Sequence, residues 1–195
     1  MWKPPTDPAC KELGFGGCLG FNGTTDSVNL GNSSSFDIRK ELTIAGWFYL
    51  AIDPDTDANN NYRNMAGKGY DPYGLSLEQD RKITGSVWMI GGTRQKTDTT
   101  YLLPIGEWHH VAYTYNGTTG EAKIYVDGEE KQRDLKSTGT FVTSAGSAYI
   151  GKIQATYGWP GMIDEVSIYK EALTVSQIQH LYTQGVLRRE VSLRF

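Results

Sequence analysis

Short apolar runs, each closed by a glycine-bearing turn, recur along almost the whole chain and constrain its fold more than any other feature. Twenty-three glycines and twelve tyrosines stand among many Thr- and Ser-flanked segments. Strands separated by tight turns read this way, and little room is left for helices. Strands are predicted over Leu42 to Leu50, Ser86 to Ile90, Trp108 to Tyr115, Glu121 to Val126, Ala148 to Ile150 and Met162 to Tyr169, with one or two more within Cys18 to Leu30. Asn116 before Gly117 and Asp127 before Gly128 supply left-handed backbone where the chain reverses, so Trp108 to Val126 and the segment after it form an antiparallel meander.

Alternation sorts the side chains of these runs by face. Between Trp108 and Tyr115, residues His109, Val111, Tyr113 and Tyr115 share one side, and Trp108, His110, Ala112 and Thr114 take the other. Ile124 and Val126 likewise oppose Lys123 and Tyr125. This is a half-buried antiparallel sheet. One short helix is expected near the C-terminus, where Thr174 and Gln177 form a capping-box pattern and Val175, Ile178, Leu181 and Tyr182 an apolar stripe, with Gly185 at the C-cap. The fold class is all-β: a two-sheet antiparallel sandwich, or jelly roll, with one short helix near the C-terminus.

The 195 residues suit one such domain, residues 16–195, preceded by a lead-in over 1–15. No apolar run approaches the roughly 20 residues that span a bilayer, so no membrane insertion is expected. The formal charge of -3 is interspersed rather than blocked, which disfavours nucleic acid as a partner. Met1-Trp-Lys-Pro-Pro has neither a charged nor an apolar leader region, so an export signal would lie outside this sequence. Cys10 and Cys18 enclose a segment short enough for a loop to close into a disulfide; the alternative is two buried thiols. A bridge would place the protein in an oxidising compartment, secreted or at the cell surface.

Five segments, in order, resemble the laminin G-like domains of the concanavalin A-like lectin/glucanase superfamily. They are Gly16-Gly-Cys-Leu-Gly-Phe-Asn-Gly-Thr-Thr-Asp-Ser-Val, Leu42-Thr-Ile-Ala-Gly-Trp-Phe, Gly106-Glu-Trp-His-His-Val-Ala-Tyr-Thr-Tyr, Lys123-Ile-Tyr-Val-Asp-Gly and Gly161-Met-Ile-Asp-Glu-Val-Ser-Ile-Tyr-Lys-Glu-Ala-Leu. Where the family usually has an earlier strand, only Trp2 and a Pro-rich stub precede the first of these segments, so either the sequence starts late or this edge is built differently, and the alternating Val191, Leu193 and Phe195 could supply it. The resemblance also implies a structural calcium ion near Asn22, Gly23, Asp26 and Asp164, although Asn22 and Thr25 replace usual acids. Cys18 with Cys10 is similar to disulfide-pinned variants that include exported pilin-like surface proteins.

Catalytic patterns are sparse. Glycan-cleaving relatives use a Glu-x-Asp-x-x-Glu strand, because alternate residues project from one face, but Glu78-Gln-Asp80 lacks the final carboxylate. Asp164 and Glu165 are adjacent, so a regular strand points them apart. His109 and His110 are separated in the same way. Asp53-Pro-Asp55-Thr-Asp57-Ala58 imitates an EF-hand, yet Ala58 stands at the required glycine and Asn64 at the bidentate glutamate. Three glycosylation sequons occur, at Asn22, Asn32 and Asn116.

Sugar recognition by a sandwich calls for aromatic rings beside amides, carboxylates and arginine. Loop and strand-end candidates are Tyr62, Tyr70, Tyr73, Trp88, Tyr101, Tyr157 and Trp159, accompanied by Asn61, Arg63, Asp71 and Arg94. Tyr157-Gly-Trp159-Pro is expected to be an exposed platform, and Trp47 and Trp108 to be core. The sequence thus points to a non-catalytic recognition or adhesion module for a glycan or glycoprotein surface. A structural or assembly domain, self-associating through an edge strand, is the second reading, and a glycoside hydrolase or its accessory domain the third.

Overall fold

In a computed structural model, which describes residues 2–3, 10, 17–54, 62–69, 72–152 and 158–192, the short runs become strands of two antiparallel sheets. The first sheet has the order β1 (Trp2–Lys3), β2 (Cys18–Asn22), β13 (Pro160–Tyr169), β4 (Glu41–Leu50), β9 (Trp108–Asn116), β10 (Glu121–Val126) and β11 (Glu129–Leu135). The second has the order β3 (Val28–Gly31), β12 (Ala148–Ile150), β5 (Arg63–Lys68), β6 (Tyr73–Leu77), β7 (Lys82–Trp88) and β8 (Arg94–Leu102). Helix α1 spans Val175–Ser192. The expected sandwich is present. Strands β5, β6 and β8 were not legible in sequence: β8 reads Arg-Gln-Lys-Thr-Asp-Thr-Thr-Tyr-Leu and is a strand because β7 offers it a ladder, from Lys82 opposite Leu102 to Trp88 opposite Arg94. The run predicted to continue to Ile90 ends at Trp88, and Ile90 turns out to solvent.

The inner faces meet in one core. Ile44 and Phe48 of β4, Val111, Tyr113 and Tyr115 of β9, and Ile124 of β10 face Leu75, Leu77, Ile83 and Val87 of the second sheet. The alternation in β9 divided its residues as the sequence implied, and the set with Val111, Tyr113 and Tyr115 faces the second sheet. Its opposite side is also buried, because a third layer lies on the first sheet. Ala45, Ala112 and Tyr125 pack with Ile178, Leu173 and Leu181, while Trp47, Trp108 and Met162 pack with the Cys10–Cys18 disulfide, Tyr182 and Val186. The bridge expected from sequence is formed, with both cysteines 2% exposed.

Helix α1 starts where predicted. The Thr174 N–H donates to Gln177 Oε1 at 2.8 Å, and the Gln177 N–H donates to Thr174 Oγ1 at 3.4 Å. It does not stop at Gly185. A Cβ at that position would stand 2.4 Å from Trp47 Nε1, so Gly185 lets the helix close onto the indole rather than capping it. The helix continues through Val191 to Ser192, which corrects the expectation of a C-terminal edge strand; Leu193 and Phe195 lie outside the described residues. Once a helix is nucleated, each further residue adds a hydrogen bond at little extra cost. The edge beside β2 is taken by β1 instead, with Trp2 opposite Leu19.

Candidate functional site

Because register partners share a face, the β7–β8 ladder sets out a polar surface on the outside of the second sheet. Trp88 lies beside Arg94, Ser86 beside Lys96, and Thr84 beside Asp98. Gly74 and Ser76 of β6 and Gly67 and Asn64 of β5 continue the same face, Gly67 opposite Gly74 and Asn64 opposite Ser76. Small residues, hydroxyls and an amide make up this floor, and Asn64, Ser76, Thr84 and Ser86 are all buried in it. Ser76 Oγ donates to Asn64 Oδ1 at 3.1 Å, and Thr84 Oγ1 donates to Asp98 Oδ1 at 2.8 Å.

The half-buried Tyr62 ring stands over the floor between two cations, 5.5 Å from the Arg94 guanidinium carbon and 5.3 Å from Lys96 Nζ. Such contacts hold the ring by its negative face. Lys96 pairs with Glu78 and, at 3.1 Å, with Asp98. Burial opposes its charge, but Glu78, Tyr62 and Asp98 raise its pKa above the ordinary lysine value. Arg94 is different: it donates to Ser86 Oγ at 3.2 Å and has no carboxylate partner among the described residues. Trp88 is half-buried, and its Nε1 donor is enclosed with no acceptor among the described residues. An enclosed donor without an acceptor costs about 1–3 kcal/mol.

Three of the candidate ligand residues, Tyr62, Trp88 and Arg94, are thus brought together. Others are not. Trp159 is 0% exposed and sits in the core, which corrects the expectation of an exposed platform; the flanking Gly and Pro serve a tight entry into β13. Tyr73 is 2% exposed and donates from its hydroxyl to the Phe36 carbonyl at 2.9 Å. Arg63 is buried and donates to the Pro54 carbonyl at 3.4 Å. Tyr101 packs partly into the core with Lys131 over its ring at 5.3 Å. Asn61, Tyr70, Asp71 and Tyr157 lie outside the described residues, as does most of the EF-hand-like segment. The carboxylates Glu78 and Asp80 are each tied to a lysine, Glu78 to Lys96 and Asp80 to Lys82 at 2.6 Å. Sequence reasoning missed Lys96, Ser86 and Asp98, whose membership depends on the β7–β8 register.

The residues suggested for calcium do not form one ion-binding set. Asn22 Oδ1 already accepts the backbone N–H groups of Thr24, Thr25 and Asp26 at 3.0, 2.9 and 3.1 Å. Asp26 Oδ2 accepts the Asn22 N–H at 3.0 Å, and the Gly23 carbonyl accepts the Gly158 N–H at 3.1 Å. These are the bonds of a side-chain-stabilised turn. Asp164 is opposite Trp47, whereas Asn22 is opposite Pro160, so the two are separated along β13. Among the described residues no group of three or more His, Cys, Asp or Glu could hold a metal.

A second cleft of about 330 Å³ opens on the other side of the molecule, between the first sheet and α1, lined by Trp47, His110, Glu165, Ser167, His180 and Gln184 among others. The ladder of β13 on β4 is irregular between Asp164 and Ser167, and Glu165 has φ of 50°. This bulge corrects the expectation that Asp164 and Glu165 point apart. Val166 packs on the core, and Glu165 joins the outer cleft. His109 and His110 do diverge: His109 Nδ1 lies 2.7 Å from Asp127 Oδ2, and His110 turns under the helix.

Burial pushes the Asp164 carboxyl up to about 6 and the His110 imidazole down to about 4. For Asp164 the ionised form is the costly one, so its penalty is absent below about 3.8 and grows as pH rises through about 6. For His110 the unfolded chain takes up its proton first, so stability falls as pH drops from 6.5 toward about 4. The slopes oppose each other. Asp164→Asn is therefore expected to raise the urea midpoint at pH 7 and steepen the acid loss, and His110→Gln to flatten the acid side. Urea melts across this range check both; an Asp164→Asn profile superimposable on the parent would overturn the assignment.

The laminin G-type model of the concanavalin A-like lectin/glucanases superfamily matches residues 22–179. C-reactive protein 1.4 of Limulus polyphemus is 28% identical over 152 residues, 73% of this chain, and the chain spans only 61% of that protein's length. The binding domain of Paraclostridial Mosquitocidal Protein 1 superposes with a TM-score of 0.70 at 14% identity, over 94% of this chain and 47% of that one. Domain 4 of AbnA, an extracellular arabinanase of Geobacillus stearothermophilus solved with arabinotriose, gives a TM-score of 0.63 at 21% identity, over 86% and 77%. Both structural likenesses are of fold, and none of these three relatives is a pilin-like surface protein. With the family model matched over most of its length and the sandwich in place, the chain belongs to the concanavalin A-like lectin/glucanases superfamily.

Proposed function

We propose that this chain is an exported carbohydrate-recognition module that binds its ligand on the outer face of the second sheet and does not cleave it. The observation that carries this reading is the convergence of Tyr62, Trp88 and Arg94 over a floor of serine, threonine, asparagine and glycine. Aromatic faces complement the apolar faces of pyranose rings, while hydroxyls and charged groups satisfy the sugar's own hydroxyls. Export is supported by the disulfide, which persists in oxidising compartments. Binding rather than turnover is supported by Glu78 and Asp80, each neutralised by a lysine, since a retaining pair needs one free nucleophile and one free acid. The reading is further supported by a neighbour in fold, domain 4 of the arabinanase AbnA, which was solved in complex with arabinotriose.

The test is Trp88→Ala, measured by affinity electrophoresis and calorimetry against a panel of plant, microbial and animal polysaccharides. Retarded migration of the parent and about tenfold or greater weakening in the variant, with its melting temperature nearly unchanged, are expected. A folded parent that binds no member of the panel, or a variant that binds as well as the parent, would overturn the reading.

A further inference from the structure

Building on that ligand face, we infer that the saccharide it takes carries an isolated carboxylate, as a uronic or sialic acid does, and that Arg94 recognises it. Among the described residues, the charges on the face are matched except at one end. Lys96 is enclosed by Glu78 and Asp98, and Lys82 by Asp80. Arg94 is exposed, makes its side-chain hydrogen bond to a neutral hydroxyl, and meets no carboxylate among the described residues. A guanidinium in this state keeps most of its donor fork for a ligand, and that fork matches a carboxylate in two parallel hydrogen bonds.

The neighbours of Arg94 make the site directional. Its cross-strand partner is Trp88, so a ring stacked on the indole brings its own substituent over the guanidinium, with Ser86 Oγ alongside. Farther across the face the groups become acceptors: Asp98 beside Thr84, then Asn64 beside Ser76. A carboxylate at the Trp88–Arg94 end and hydroxyls at the acidic end satisfy both; the reverse orientation puts like charges together. A densely sulfated polyanion is a poorer fit, because a single cation without a carboxylate partner among the described residues of this face, on a chain of formal charge -3, offers nothing to the remaining sulfates.

Calorimetry with tri-galacturonate against its methyl ester, and sialyllactose against its methyl ester, tests this with ligand pairs that differ only in the free acid. The parent is expected to prefer one of the acids by about tenfold or more, the preference shrinking at high salt. Which pair shows it tells uronate from sialate. Arg94→Ala should erase the preference, weakening the free acid about tenfold or more beyond any loss for its ester, and Arg94→Lys should restore part of it. The inference fails, while the ligand face stands, if Trp88→Ala weakens acid and neutral forms alike and Arg94→Ala changes neither. Tightest binding to heparin, lost in Arg94→Ala, would replace the isolated carboxylate by a polyanion. A parent that binds none of these saccharides or the wider panel removes the ligand face itself.

Discussion

Trp159→Ala is expected to destabilise the fold by about 3–5 kcal/mol, a large part of the roughly 5–15 kcal/mol that holds a domain of this kind together. The indole is 0% exposed, meets Phe48 edge-on at 5.6 Å, and donates from Nε1 toward the carbonyls of Tyr49 and Met162 at 3.1 and 3.2 Å. Its truncation leaves a cavity where β13 enters the first sheet, beside carbonyls that lose a donor. The backbone around it cannot relax freely, because the Trp159 N–H is held by the Gly151 carbonyl and its own carbonyl by the Gly23 N–H. Chemical denaturation checks the figure. A variant that melts like the parent and loses only saccharide binding would return Trp159 to the surface role its sequence context suggested.

Gly85→Ala should be nearly as damaging, at about 3 kcal/mol or more. Gly85 lies at the centre of β7, facing inward, and a Cβ built there would come within 2.2 Å of Tyr113 Cδ2 on the opposite sheet. The tyrosine has no room to retreat: it is 0% exposed, and burial drives its pKa well above the ordinary value. The two sheets meet here through a bare backbone against a ring, so one methyl group must part them or turn the ring off its rotamer. The double variant Gly85→Ala with Tyr113→Leu should recover part of the loss, since the colliding atoms are gone, and coupling between the two positions is the measurable sign of direct contact. Strict additivity in denaturant melts would show that the cost arises elsewhere.

Gly85 and Trp159 also mark the boundary of what a sequence displays. Nothing near Gly85 distinguishes it from a turn glycine, because the atom that requires it belongs to a residue 28 positions away on the other sheet. Trp159 stands between a glycine and a proline, which reads as a loop that shows its ring. That local signal was correct about the irregular backbone and silent about what covers the side chain. Asp164 and Glu165 teach the same lesson from the other direction. Strict alternation points them apart, and only the mismatch of β13 against β4 inserts the bulge that turns Glu165 into the outer cleft.

What the sequence determined by itself is whatever depends on neighbours along the chain: the two-residue alternation of β4, β9 and β10, the reversals at Gly117 and Gly128, the Thr174–Gln177 cap, the short loop closed by Cys10 and Cys18, and the ordered motifs that name the family. Tertiary structure decided which face of each strand received a cover and which side chains became neighbours. Alternation divides residues into two sets, but whether one or both sets are buried depends on a third layer, here α1 and the disulfide, that arrives from the two ends of the chain. The ligand face has the same origin. Trp88 and Arg94 are six positions apart in sequence and say little there; the register of β7 on β8 sets them side by side, because in a sheet hydrogen-bond pairing across strands, and not order along the chain, fixes adjacency.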